Sequence, residues 1–512
     1  MLVKSSFIFS FLTFISRIFG FVRDLLLANY FGTGMLADAF NVAFRLPNLF
    51  RAIFAEGAFS AAFVPLFSSK LHTKGKKQAL LFAGKVLSFL TLILLTLMAL
   101  SQIFMPEVVK GIAPGFEDNQ SKFDLTIQLT RITTPYLFFI SLVTFYACIL
   151  NSLDRFAAMA ASPIVLNIAM IIGLYCFGQN NESKTISAAW SVFIGGVAQL
   201  IIMFYAVYKK KHLPKFQNLK SNKDSNKFFK NIMPAILGSG VTQINIWVGT
   251  IIATAIPGAV SIIYYADRIV QLPLSLIGVS IGIVVLPKLS KLFKSGDKSQ
   301  AVFLQNRSFE LALALSIPCS VALYEIAKPI VYILFQRGEF SVDDTFKTVP
   351  ALLIMGFGIP AFVINKIIVS SFFANEDTRT PVKISAFCVL INAIGNYVLV
   401  KYISYVGIAV ATTTAAWINV LLLVIFAIRK NIFQFDFSFK VRFLRILISC
   451  VFMYIYLEAA HGLLDKYIYS SEKILSLVSF VGMIGTSLIV YFIALFVTRA
   501  YTKESIQELL RS

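Results

Sequence analysis

Ten ionisable residues lie far from the ends of long apolar runs, and their types and spacing are the chemical signal of this sequence. The first two runs carry Arg17, Arg23, Asp24, Asp38, Arg45, Arg51 and Glu56; later runs add Asp267, Arg268 and Lys366. A charge at the centre of a membrane helix costs roughly 2.5–3.5 kcal/mol even on a mild insertion scale, so such residues face a water-filled cavity or an ion-pair partner. Arg17 and Asp24 are seven apart and share a helical face, with Gly20 between them. Asp38, Asn41, Arg45 and Asn48 recur at three and four residues as a polar stripe, and Pro47 permits a bend that returns Arg51 to it. Internal pairing is the plain alternative: Arg17 or Arg23 with Asp24, Asp38 with Arg45, Asp267 with Arg268. It accounts for the carboxylates better than for the arginines, because five arginines and one lysine face four carboxylates. A guanidinium offers a planar fork matched to phosphate oxygens and does not deprotonate. The surplus predicts a cavity for an anionic, phosphorylated cargo; a cation exporter would show surplus carboxylates instead.

Such residues need membrane helices to carry them. The 512-residue chain is 58% hydrophobic and 14% charged, with a mean hydropathy of +0.79, against about a quarter charged in soluble domains. A span needs about 20 apolar residues. Runs of that kind fall near 6–29, 36–68, 79–104, 125–152, 157–178, 185–208, 229–253, 260–287, 302–334, 346–374, 381–400, 407–428, 442–460 and 475–498. The chain reads as an all-α membrane protein of about 14 transmembrane helices. The second, eighth, ninth and tenth runs contain Pro47, Pro273, Pro318 and Pro360, which predict kinks. The apolar stretch behind Lys4 has no small-residue cleavage site before Arg17 and Arg23, so it reads as a retained first helix. Alternate loops and ends carry 28 Lys and Arg; the opposite loops, with Lys122, Lys184 and Arg337 among their cations, carry 8. The positive-inside rule then places both termini in the cytoplasm.

Landmarks recur in order. Val64-Pro65 matches Leu286-Pro287, Pro135 matches Pro360, and Ala188-Ala189-Trp190 matches Ala415-Ala416-Trp417, at offsets of 222, 225 and 227 residues. They predict two pseudo-symmetric six-helix lobes, 1–210 and 229–430, joined by a basic cytoplasmic linker at 211–228. A C-terminal hairpin at 431–512 follows, in which Gly482 and Gly485 allow close approach. Parallel repeats place a substrate site between the halves. Several classes are excluded. The net charge of +21 is spread over short loops rather than on a folded basic domain, which argues against nucleic acid. Five dispersed cysteines and three histidines (His72, His212 and His461, assigned to loops) form no metal motif, and no P-loop or GxSxG elbow occurs. The chain is not read as an enzyme.

At these residues the sequence resembles the MurJ/MviN family of lipid II flippases, within the wider group of multidrug and polysaccharide-lipid exporters. The segments that carry the likeness are Ser16-Arg17-Ile18-Phe19-Gly20-Phe21-Val22-Arg23-Asp24, Ala37-Asp38-Ala39-Phe40, Arg45-Leu46-Pro47-Asn48-Leu49-Phe50-Arg51, Phe54-Ala55-Glu56-Gly57, Tyr264-Tyr265-Ala266-Asp267-Arg268 and Thr380-Pro381-Val382-Lys383. The resemblance implies a flippase of the bacterial cytoplasmic (inner) membrane. It would carry undecaprenyl-diphosphate-linked peptidoglycan precursor, lipid II, to the outer leaflet by alternating access of two lobes. It further implies that Arg17, Arg23, Arg51 and Arg268 bind the diphosphate, that Asp24, Asp38 and Asp267 orient them, and that Glu56 pairs across the cavity. Arg45, Asn48 and Lys366 support the site, and the last two helices form a groove for the lipid tail. Partners are lipid II, membrane lipids and the cell-wall synthesis machinery. No cofactor or metal is expected, apart from Na+ or membrane-potential coupling, for which Asn392, Asn396, Thr412 and Thr413 offer oxygen ligands. A flippase for another diphospholipid-linked glycan and a drug/cation antiporter of the same fold are the alternatives.

Overall fold

The computed structural model describes residues 2–53, 59–219, 223–470 and 472–501. Glu56 lies outside them. The described residues form α-helices and no strand, and eleven of the helical stretches are long and apolar enough to cross a membrane. Packing divides the chain into two compact units, Met1–Ser261 with Arg337–Phe340, and Ile262–Gln336 with Ser341–Ser512.

The first unit holds α1 (Leu2–Phe31), α2 (Met35–Ile53), α3 (Phe59–Thr73), α4 (Gly75–Ile103), the short α5 (Met105–Ile112), α6 (Gln120–Thr133), α7 (Pro135–Asn151), α8 (Ala157–Cys176), α9 (Asn181–Lys209) and α10 (Lys223–Ala253). Its core is built on phenylalanine. Phe63 sits at the centre, with ring centroids 5.4 Å from Phe67 and Phe145, 5.6 Å from Phe82 and 6.3 Å from Phe228. One aromatic side chain thereby joins α3, α4, α7 and α10. Stacked and edge-on pairs of this kind add to the burial of large apolar surface.

The second unit takes most of α11 (Ala259–Pro273), then α12 (Ser280–Ser295), α13 (Lys298–Phe335), α14 (Val342–Phe357), α15 (Ile359–Ala374), α16 (Arg379–Ile403), α17 (Val406–Arg429), α18 (Phe437–Ile468) and α19 (Lys473–Val497). Two of the four prolines expected to disturb a helix coincide with a break, while α2 and α13 run on through Pro47 and Pro318. Pro273 is followed by a π-helical turn over Leu274–Val279, and α14 and α15 break at Gly358 ahead of Pro360. Proline removes an amide donor and crowds the preceding turn, so the ladder re-forms one residue out of step or stops.

The α18–α19 hairpin is pinned to α13 at three heights. Near the start of α13, Glu310 is buried between Arg307 and Arg442, whose Nη1 lies 2.9 Å from its Oε2; Arg307 also reaches Asp436 at 3.3 Å. Beside them Asn306 donates to the Gln434 carbonyl and accepts from the Asp436 amide. Midway, the Tyr491 hydroxyl donates to the Ala314 carbonyl at 2.6 Å. Further along, His461 Nδ1 meets Glu325 Oε1 at 2.7 Å. Two expectations are corrected here. His461 is not in a loop, because α18 continues to Ile468 and carries it against α13. Gly482 and Gly485 make no close approach, since a Cβ on either would meet nothing within 4 Å; Met453, Leu457, Phe480 and Tyr491 make the hairpin's buried contacts instead.

Candidate functional site

In the first unit α1 supplies the best-defined arginine. Arg23 and Asp24 are both buried, and the guanidinium holds Asp24 Oδ1 through Nε at 3.1 Å and Nη2 at 2.7 Å. Nη1 donates to Asn167 Oδ1 of α8 at 2.9 Å, and Asn167 Nδ2 donates back to the Ser16 carbonyl at 3.1 Å. The helices cross beside Gly20, where a Cβ would lie 3.4 Å from Asn167 Nδ2, an ordinary van der Waals contact. Of the two arginines offered for Asp24 it is therefore Arg23 that takes it, while Arg17 is exposed on the same helix. Asn167 was invisible to the sequence reading, because one polar residue in an apolar helix carries no spacing signal.

On α2 the polar stripe divides. Arg51 Nε donates to Asn48 Oδ1 at 2.7 Å, an i,i+3 contact that Pro47 does not interrupt. Arg45 lines a shallow cleft with Val42, Leu46, Trp247 and Thr250. Asp38 does not pair with Arg45. Its carboxylate takes four donors: Lys122 Nζ at 2.7 Å, the Gly258 and Ser261 amides at 2.9 Å, and the Ser261 hydroxyl at 2.8 Å. Those amides belong to the first turn of α11, whose positive end favours a carboxylate. Lys122 also lies 3.9 Å over the Phe116 ring, so it is a buried ion-pair partner and not a solvated loop charge. Asp38 therefore fastens α2 to α6 and to the start of α11 rather than orienting an arginine.

In the second unit Arg268 is half-buried on α11, its guanidinium 4.6 Å from the Tyr264 ring centroid and 3.5 Å from Gln271 Oε1. Gln271 also donates to Asp267, so a carboxamide reaches both members of the Asp267–Arg268 step. Lys366 is exposed on α15. The charges on α13 went unread in the sequence: Arg307, Glu310, Glu325 and Lys328 fall inside the ninth apolar run, and the first three make the contacts described above.

A family model described as lipid II flippase MurJ matches residues 27–499. The chain belongs to the MurJ family. Among MurJ relatives, a probable lipid II flippase of Rickettsia prowazekii is 41% identical over 98% of this chain and 97% of its own length. One of Rhizobium meliloti is 38% identical over 94% of this chain and 91% of its own. A solved MurJ structure in an inward closed conformation is 28% identical and superposes with a TM-score of 0.79, over 95% of this chain and 97% of that one. A multidrug resistance MATE family transporter, at 14% identity and a TM-score of 0.69 over 81% of this chain and 94% of its own, shares the fold alone. For a MurJ-family chain the notable local arrangement is a guanidinium clamped on one edge by a carboxylate and on the other by a carboxamide. Such a clamp fixes the plane of the fork in a helix pair within the apolar part of the protein.

Proposed function

We propose that this chain is a lipid II flippase, moving undecaprenyl-diphosphate-linked peptidoglycan precursor from the inner to the outer leaflet of the bacterial cytoplasmic membrane by alternating access. The observation that carries this reading is the near full-length match to relatives named as lipid II flippases. The arginines give it chemistry. Arg17, Arg23, Arg51 and Arg268 bind the diphosphate, with Asp24 and Asn167 setting the plane of Arg23 and Asn48 that of Arg51. A planar two-pronged donor suits diphosphate oxygens and repels a cationic drug. Depletion in the native host tests the function: lipid II should accumulate in the inner leaflet, and accumulation of a different diphospholipid-linked glycan there, with lipid II unchanged, would replace the substrate.

The arrangement proposed is fourteen crossings in two lobes of six and a terminal hairpin, with both termini cytoplasmic. Three further helical stretches, Leu2–Phe31, the α2–α3 pair and Lys223–Ala253, support the higher count beside the eleven strongly apolar ones. Contact with the cell-wall synthesis machinery belongs to the same proposal. Coupling to Na+ or to the membrane potential is proposed to involve the α16–α17 pair. Asn396 is fully buried there with neither amide atom hydrogen-bonded among the described residues, which fits a cation or a water; Thr413 instead donates to the Ile354 carbonyl.

A further inference from the structure

The segment 210–219, which follows Lys209 at the end of α9, is not helical, yet its backbone is built onto α4. The Gln217 amide donates to Ser88 Oγ at 2.9 Å, and Ser88 in turn donates to the Gly84 carbonyl at 3.0 Å. Gly84 makes the approach possible, because a Cβ there would collide with the Lys215 carbonyl and lie 2.9 Å from Gln217 Cγ. Pro214 is buried, and Leu213 packs on the phenylalanine core.

This anchoring leaves an ordered set of side chains outside. Lys209, Lys210, Lys211 and Lys215 are exposed and make no ion pair among the described residues, and Phe216, next to Lys215, is 66% exposed. The depth is set by α4. Lys85 is its last charge, and from Leu92 onward its exposed residues are apolar apart from Thr96. Gln217, held at Ser88, therefore sits where the helix passes from charged to lipid-facing surface. The end of α9 has the same order: exposed Ile201, then Tyr205 and Tyr208, then the lysines. Aromatic side chains mark the interface and lysines the headgroup layer. No acidic residue occurs between Glu182 and Asp224, or between Glu56 and Glu107, to neutralise this surface from nearby in the chain.

We propose that the strap 210–219, docked on α4, is with Lys209 a binding surface for anionic phospholipid headgroups of the leaflet on its side, with Phe216 inserted among the acyl-chain ends. A run of lysines placed only to set topology requires neither the Gly84–Ser88 seat nor an exposed phenylalanine at that depth. Juxtamembrane lysines attract acidic lipid at close range, each changing the equilibrium about fivefold at low salt.

The full chain, stripped of lipid in detergent and offered equal phosphatidylglycerol and phosphatidylcholine, is read by native mass spectrometry for the ratio of the two lipids retained. Wild type should favour phosphatidylglycerol. Lys211→Gln and Lys215→Gln should each lower the ratio about fivefold, and the Gln variant of all four lysines should lower it further. Lys74→Gln with Lys77→Gln, at the charged end of α4, should leave it unchanged. No preference in wild type, or a preference that survives both single substitutions, overturns the proposal; those two exposed single variants give a reading even where the fourfold variant fails to insert.

Discussion

Arg23 and Asn167 meet across 144 residues of sequence, the guanidinium Nη1 donating to the carboxamide oxygen at 2.9 Å. The contact ties α1 to α8 and leaves Arg23 with one edge on a carboxylate and the other on a neutral amide. Arg23→Ala is expected to abolish transport, and Arg23→Lys to leave partial activity, since lysine keeps charge but loses the fork. Adding Asp24→Asn to the alanine variant should recover protein abundance, because it removes a buried unpaired carboxylate, but not transport. Transport restored in the double variant would reduce Arg23 to a counter-ion.

Asp38 and Lys122 are buried partners whose separation should be costly. Lys122→Met strands a carboxylate that keeps its three other donors, and removing one member of such a pair typically costs about 3–5 kcal/mol. A lower melting temperature in detergent is the expected outcome, with Asp38→Asn added to it recovering a large part. A Lys122→Met protein as stable as wild type would show that the α11 amides and the Ser261 hydroxyl suffice.

Asp377, in the turn between α15 and α16, gives a pH dependence. Burial pushes its carboxyl up, but hydrogen bonds from Lys430 and from the Thr380 hydroxyl and amide hold it down at about 2. A carboxyl lowered on folding contributes stability that is complete above its unfolded value, near 3.9, and is lost as pH falls toward 2. Lys430 is substantially exposed, so the contribution is screened and under about 1 kcal/mol. Thermal melts of wild type and Asp377→Asn should run parallel from pH 7 to 5 and converge below pH 4. A constant difference down to pH 2.5 would contradict the assignment.

Much of this organisation is legible in the sequence, and the failures share a cause. Apolar runs mark the helices because lipid demands them, and Pro273 and Pro360 mark breaks because proline cannot donate. Arg23–Asp24 is readable because its members adjoin. Asp38 with Lys122, Arg23 with Asn167, and Glu310 with Arg442 are not, because each pair is joined by tertiary packing over 84 to 144 residues. Lys122 looked like a loop charge since only its burial, not its neighbours in sequence, distinguishes it. The α13 charges share that cause: Glu310 and Glu325 meet Arg442 and His461, which lie 132 and 136 residues further along the chain.

Orientation can be tested with single cysteines in a background lacking the native five. Positions 76, 218 and 296 should be shielded from an impermeant thiol reagent in intact cells, and positions 119, 180, 341 and 470 should react once the reagent passes the outer membrane. The reverse pattern would invert the topology, and a mixed one would change the number of crossings.

Glu310 and Arg442 also constrain how the protein is made. When α13 emerges from the ribosome, Arg442 lies 132 residues away, which at about 5–20 residues per second is roughly 7–26 s of further synthesis. For that interval the carboxylate has Arg307, one turn back on the same helix, as its ready companion. The neighbour that looks redundant in the finished molecule thus serves as an escort, keeping an acid tolerable in the bilayer until the last hairpin arrives to close the bundle around it.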